Sequence, residues 1–277
     1  MVIEHAYAKL NLSLSVLGKM PNGYHELKTI MVPIVDLYDE LYFEENDTNE
    51  MILVDNDIED NSILKAAKIF QEKYKTKGAT IKLVKRIPLE AGLAGGSADS
   101  SATLRGLNRL FNLNLSLDEL STIAKELGSD NVFCLYNKAS VCSVRGEELE
   151  FIDSKFSFDV LLAKPNFGLK TKDVFSYVKE YGFNEDKHQN ILKSLKSEDI
   201  KLLENNIYND LLKPAINVNN NLEEIISSIE TFGSRAFMSG SGSTLFIINF
   251  NESLKSELKN NKKIEFIQKV RVSNAIS

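Results

Sequence analysis

Over the first 45 residues apolar and polar positions alternate, and Leu10, Leu12, Leu14 and Val16 share one face of an extended strand. Pro21-Asn22-Gly23 then supplies turn chemistry, because Asn-Gly tolerates positive φ. Residues 30–35 and 40–43 read as two further strands, so the chain opens as a sheet of hairpins. At 62–74 the period becomes helical. Ile63, Ala66, Ala67 and Phe70 form one stripe there, with Asn61 or Ser62 as the cap. Strand alternation returns over 79–87. Helices are predicted over 97–111 and 116–127, the second stopping at Gly128, and strands over 139–144 and 149–152 close this half.

A second half begins near residue 155. It reads as a strand over 158–163, helices over 171–181, 188–196, 198–206 and 218–230, and a strand–loop–strand passage from Phe237. A helix over 251–260 and a strand over 264–272 complete it. Strands first, then a mixture with several helices, predict an α+β protein in two halves, 1–154 and 155–277. No low-complexity linker and no internal repeat interrupts them.

Composition narrows the function. A formal net charge of −6 argues against a nucleic-acid partner, since affinity for a phosphate backbone needs a basic surface. It leaves room for a nucleotide held by backbone N–H groups and a few lysines. Cys134 and Cys142 are too few and wrongly spaced for a disulfide framework or a zinc pair. The opening Met-Val-Ile-Glu-His-Ala has neither the basic nor the apolar region of a secretion signal. No apolar run approaches the roughly 20 residues of a membrane span. A cytoplasmic protein with no membrane partner is expected.

The most informative stretch is Pro88-Leu89-Glu90-Ala91-Gly92-Leu93-Ala94-Gly95-Gly96-Ser97-Ala98, set between a predicted strand and a predicted helix. Small residues let a ligand approach the backbone closely, and the free N–H groups and dipole of the helix favour an anion. Neither a Gly-Lys-Ser/Thr ending nor a GxGxxG spacing is present, so it is neither of the two commoner phosphate loops. From glycines alone, a tight structural turn explains the stretch equally well.

The run Pro-x-x-Ala-Gly-Leu-Ala-Gly-Gly-Ser-Ala-Asp resembles the nucleotide loop of the GHMP kinases. Ala6-Tyr7-Ala8-Lys9-Leu10-Asn11-Leu12 is similar to that family's first motif, and Met238-Ser239-Gly240-Ser241-Gly242-Ser243-Thr244 to its third. Three matches in order cover nearly the whole chain. The resemblance implies a GHMP kinase fold, with a β-rich amino-terminal half like ribosomal protein S5 domain 2 and a ferredoxin-like carboxy-terminal half. It also implies ATP as phosphate donor, bound by residues 88–98. Mg²⁺ would arrive held mainly by the ATP phosphates, with the Ser97 hydroxyl as a candidate contact and no dedicated protein metal cage. Gly23-Tyr24-His25-Glu26-Leu27 points to the branch that phosphorylates the 2-hydroxyl of a cytidine-diphosphate-linked methylerythritol, a small-molecule acceptor.

On this resemblance Lys9 and Asp130 carry the chemistry. A carboxylate accepts the proton of the attacking hydroxyl, and a lysine beside it orients the carboxylate and stabilises charge on the oxygens. Taken singly, Lys9 reads as a strand charge and Asp130 as a loop carboxylate. Tyr24 and His25 would recognise the cytosine, with Phe175 on the other side of the base, and Thr171 and Asn11 would contact the acceptor. Thr171 and Phe175, four residues apart, share a helix face. Tyr24 packed on the sheet, His25 capping a turn and Phe175 in the core are the structural alternatives.

The sequence departs from the family pattern in two places. Ser100-Ser101 stands where two Ala are usual, and Ala98 where Ser is frequent. After Asp130 the chain reads Asn131-Val132-Phe133, where the family has an apolar residue and then Pro-Phe. Losing the Pro would loosen the loop that aims the carboxylate. A GHMP kinase with another acceptor, and a non-catalytic nucleotide-binding relative, stay open as alternatives. Oligomeric state is not encoded in any motif.

Overall fold

A computed structural model describes residues 1–54 and 62–274. In chain order the elements begin with β1 (Val2–Lys19), β2 (His25–Glu45), β3 (Met51–Val54), α1 (Ser62–Tyr74), β4 (Ala79–Val84) and α2 (Gly95–Leu110). Next come α3 (Leu117–Leu127), α4 (Asn131–Tyr136), β5 (Ser140–Val144), β6 (Glu148–Phe151) and β7 (Ser157–Pro165). They continue with α5 (Thr171–Ser176), α6 (Glu185–Ser197), α7 (Ile200–Asn206), β8 (Tyr208–Asn209), α8 (Leu212–Val218) and α9 (Asn221–Glu230). β9 (Phe237–Met238), β10 (Leu245–Ile247), α10 (Glu252–Asn260) and β11 (Ile264–Ser273) end the chain.

These elements form two compact units. One comprises residues 1–8, 37–87 and 94–137, and the other 9–36, 88–93 and 138–277. Compactness thus divides the chain differently from halves 1–154 and 155–277, because β1 and β2 are long enough to belong to both units.

In the first unit, residues 40–45 of β2 pair antiparallel with β4, and β3 pairs parallel with β4. Helices α1 and α2 pack together. The stripe read from sequence is the buried one: Ile63, Ala66, Ala67 and Phe70 are all inaccessible on α1. Its expected cap Asn61 lies outside the described residues. Gly106 brings α2 close to β2, since a Cβ there would lie 2.3 Å from the Phe43 ring. The second unit has β7 at its centre, flanked by β11 and β10, with β9 beyond β10 and β2 joined to β11 at Ile34 and Val272. Its core gathers Val16, Leu161, Ala163, Ile225, Ile229, Leu245 and Leu258.

Several elements differ from the pattern reading. Residues 30–35 and 40–43 belong to one strand of 21 residues. The polar Asp39 that broke the alternation is fully buried, its carboxylate accepting from the backbone N–H of Arg86 at 2.5 Å and of Ile87 at 2.8 Å. The helix expected over 171–181 ends at Ser176. Helices α4 and α8 had no visible period because six and seven residues span barely two turns.

Candidate active site

Lys9 sits on β1 at 2% exposure, on the same strand face as Asn11, within residues 8–16 that are buried on both faces. Its Nζ donates to Asn11 Oδ1 at 2.7 Å and to the Gly92 carbonyl at 3.1 Å. Asn11 in turn donates from Nδ2 to Thr29 Oγ1 at 2.8 Å. Both residues expected at the acceptor's end of the site therefore belong to one buried polar chain. Every link in it is a made bond, as a buried polar group requires.

The third motif closes on the first half of the glycine-rich loop. Ser239 Oγ donates to the Gly92 carbonyl at 3.0 Å, and the Thr244 N–H donates to the Ala91 carbonyl at 3.2 Å. Gly92 has φ +71°, and a Cβ on it would lie 2.2 Å from the Ser239 carbonyl oxygen. Only glycine satisfies both conditions. Asn209 supports the same loop, its Nδ2 donating to the carbonyls of Met238 and Gly240, each at 2.8 Å. Asn209 thus helps to hold the third-motif loop. Thr171 Oγ1 lies 2.9 Å from Ser241 Oγ, so the candidate acceptor threonine also meets the third motif.

The second half of the glycine-rich loop opens α2. Ala94 adopts the left-handed conformation at φ 61°, and no side chain caps the helix. Its first turn holds no acidic residue. Helix geometry leaves the first N–H groups without an intrahelical partner, so they remain donors for an anion. Gly96 leaves room there: a Cβ on it would meet only Ser62 Oγ, at 3.6 Å. Lys85, which sequence reading passed over, lies behind this turn, its Nζ 3.0 Å from where a Gly95 Cβ would be. It donates to Asp39 Oδ2 and Asp99 Oδ2, each at 2.6 Å. Burial pushes the Asp99 carboxyl up to about 7; Lys85 pulls the other way and Asp39 adds to the rise. Burial and the neighbouring carboxylate thus outweigh the shared ammonium and favour the protonated form of Asp99. For Lys85 itself burial acts downward, and the carboxylates of Asp99 and Asp39 more than offset it.

Asp130 precedes α4 and is half-buried. Its carbonyl accepts from the Cys134 N–H at 3.0 Å, which starts the helix. Gly128 ends α3 at φ 168°, an extended conformation, so its value lies in space. A Cβ there would come 2.9 Å from Asn131 Oδ1.

His25 and Phe175 stack, with ring centroids 4.9 Å apart and planes 23° from parallel. The Tyr181 ring lies 6.1 Å from His25. Burial, assisted by Lys19, pushes the His25 imidazole below its ordinary pKa, so it is neutral near pH 7. Tyr24 is exposed, with the Arg145 guanidinium 5.0 Å above its ring. Arg145 is held by Glu147 at 2.7 Å. The turn 145–147 thus reaches a candidate recognition residue.

Comparison with known proteins bears on family and fold. Residues 61–138 match the family described as GHMP kinases N terminal domain, and residues 191–266 match GHMP kinases C terminal. A Staphylococcus aureus protein, provisionally named 4-diphosphocytidyl-2-C-methyl-D-erythritol kinase, is 37% identical over 94% of both chains. The chain belongs to the GHMP kinase family. It is an ATP-dependent kinase of α+β class with the GHMP kinase fold. A crystal structure of 4-(cytidine 5'-diphospho)-2C-methyl-D-erythritol kinase is similar at TM-score 0.82 and 27% identity, covering 99% of this chain and 100% of that one. The homoserine kinase of Cytophaga hutchinsonii shares the fold at TM-score 0.75 and 16% identity, over 99% and 96% of the two chains. Among the described residues of this GHMP kinase no helix is long and apolar enough to cross a membrane.

Proposed function

We propose that this GHMP kinase transfers the γ-phosphate of ATP to the 2-hydroxyl of 4-diphosphocytidyl-2-C-methyl-D-erythritol in the cytoplasm, with Mg²⁺ held mainly through the ATP phosphates. The observation that carries the acceptor assignment is the stacked pair His25–Phe175. A neutral imidazole offers one donor and one acceptor to a base edge, and the adjoining aromatic faces suit a pyrimidine. An acceptor such as homoserine has no base for them to meet. The similarity to the S. aureus protein, over nearly the full length, supports the same assignment.

The uncapped start of α2 fits a phosphate, with open space at Gly96 and donors left over. When bound, ATP supplies the phosphoryl group and Mg²⁺ offsets its charge. Gly95, Gly96 and Ser97 would hold the phosphates through backbone N–H groups, and residues 88–94 would flank the nucleotide. Asp130 is assigned as the group that accepts the hydroxyl proton, and Lys9 as the charge that steadies the reacting oxygens. Asn11 and Thr171 would hold the acceptor, and Tyr24 would cover the base.

The test is ADP release from the purified chain with Mg-ATP and four acceptors: the diphosphocytidyl compound, homoserine, mevalonate and phosphomevalonate. Turnover with the first alone is expected. Turnover with one of the others alone would keep the family and overturn the acceptor.

A further inference from the structure

The two departures from the family pattern, 30 residues apart in sequence, touch each other. Asn131 is 2% exposed, and its Nδ2 donates to Ser100 Oγ at 2.5 Å, with longer approaches of 3.3 Å to the Ser97 carbonyl and 3.4 Å to Ser101 Oγ. Ser101 Oγ donates to the Asn131 carbonyl at 2.8 Å. Ser100 Oγ donates onward to the carbonyls of Gly96 at 3.0 Å and Ser97 at 3.2 Å. Both serines are buried. Alanines at 100 and 101 would leave only the approach of Asn131 Nδ2 to the Ser97 carbonyl. An apolar residue at 131 would leave Ser100 with an unused lone pair.

We infer that Asn131 is a positioning residue for transfer: with Ser100 and Ser101 it fixes Asp130 relative to the first turn of α2. The inference rests on the assignment of Asp130 and of the α2 N-terminus under Proposed function. The path is short. Gly96 and Ser97 belong to the turn that would receive the phosphates, Ser100 binds their carbonyls, Asn131 binds Ser100, and Asn131 is joined to Asp130 by one peptide bond. Asn131 is also fixed at its backbone, its N–H donating to the Gly128 carbonyl at 3.3 Å. In the family pattern a Pro stiffens this place by fixing φ. Here side-chain bonds to the neighbouring helix supply the stiffness that Val132 cannot. A side chain that sets the separation of base and phosphoryl group acts on the chemical step, because a misplacement of about 1 Å costs on the order of 10²-fold in rate.

The experiment compares wild type, Asn131→Val, Ser100→Ala/Ser101→Ala and the combined variant at a temperature where each is folded. Asn131→Val is expected to lower kcat by about tenfold with the acceptor KM within about twofold, since a positioning loss falls on the transition state. The combined variant should be no slower than Asn131→Val alone, because both changes break one network and their effects do not add. If Asn131→Val does not fold, the double alanine variant, which removes two oxygens only, carries the same test. Unchanged kcat in these variants, or losses that multiply, would overturn the inference and leave a packing role. A second readout needs no acceptor. MgADP should slow amide exchange over residues 128–137 in wild type, and this slowing should vanish in Asn131→Val. Equal slowing in both would also overturn it. No turnover by wild type would count against the acceptor under Proposed function, and the exchange readout would then decide this inference alone.

Discussion

Helices α2 and α3 follow one another in the same unit and begin in opposite ways. Helix α3 opens with a full capping box: the Glu119 N–H donates to Ser116 Oγ at 3.2 Å, and the Ser116 N–H donates to Glu119 Oε2 at 2.8 Å. Helix α2 opens after a left-handed Ala94 with no side-chain cap. The first spends its terminal donors on the protein, worth about 1 kcal/mol for a Ser cap. The second forgoes that stability and accepts a strained alanine besides. A protein keeps such a helix start when the donors serve something else, and here the helix follows directly on a run of small residues. Uncapped ends are thus as informative as motifs, and α3 serves as the control that shows this chain can cap when capping is all that is needed.

The contrast can be tested from its strongest consequence downward. Asp130→Asn should lower kcat by about 10²–10⁴-fold, the usual worth of a general base, while nucleotide affinity stays unchanged. Turnover of the diphosphocytidyl compound and equilibrium titration with MgADP read the two quantities. Equal loss of both would mean that the α2 start and Asp130 are not separable. Gly92→Ala should lower stability by more than about 2 kcal/mol, combining left-handed strain with the approach to the Ser239 carbonyl. The midpoint of urea unfolding measures it, and a neutral result would show that the third-motif loop yields freely.

Asp99→Asn probes what lies beneath the uncapped turn. The wild-type carboxyl is raised from 3.8 to about 7 in the folded chain. Across that window the folded state holds a proton that the unfolded state has released, so this group lowers stability as pH rises. Asn should flatten that fall. Melting temperatures of both proteins between pH 4 and pH 7 compare the slopes, and parallel curves would show that Asp99 does not carry the proton. The smallest effects form a pair. Ser116→Ala should cost about 1 kcal/mol with unchanged kcat. Ala94→Gly should gain about 1 kcal/mol by relieving the left-handed strain at φ 61°. Thermal unfolding reads both, and a loss at position 94 would mean that the native turn there is not strained.

Much of the local structure was legible. The boundaries and buried face of α1, the extent of α3 up to Gly128 and the strand–loop–strand around the third motif follow from periodicity and helix-stop signals, which act over a few residues. The glycine-rich loop was legible as a candidate anion cradle, with a tight turn as the equal alternative on glycines alone; the missing side-chain cap at α2 came from the structure. Lys85 escaped notice since its meaning depends on Asp39, 46 positions away, and on Asp99. Asn131 looked like a weakness for the same reason: the serines that complete it lie on another helix.

What the sequence determined by itself was the class of fold, the glycine-rich loop between a strand and a helix, the acidic net charge and the identity of the residues offered for chemistry. These depend on residue type and short-range spacing. Tertiary structure alone decided which polar residues share bonds. It joined Lys9 to Asn11 and Gly92, seated Asn209 under the third motif, stacked His25 on Phe175, and turned two departures from a pattern into one network. The physical reason is that a buried hydrogen bond is worth having only when both partners arrive, and the partner's arrival is a property of the packed chain.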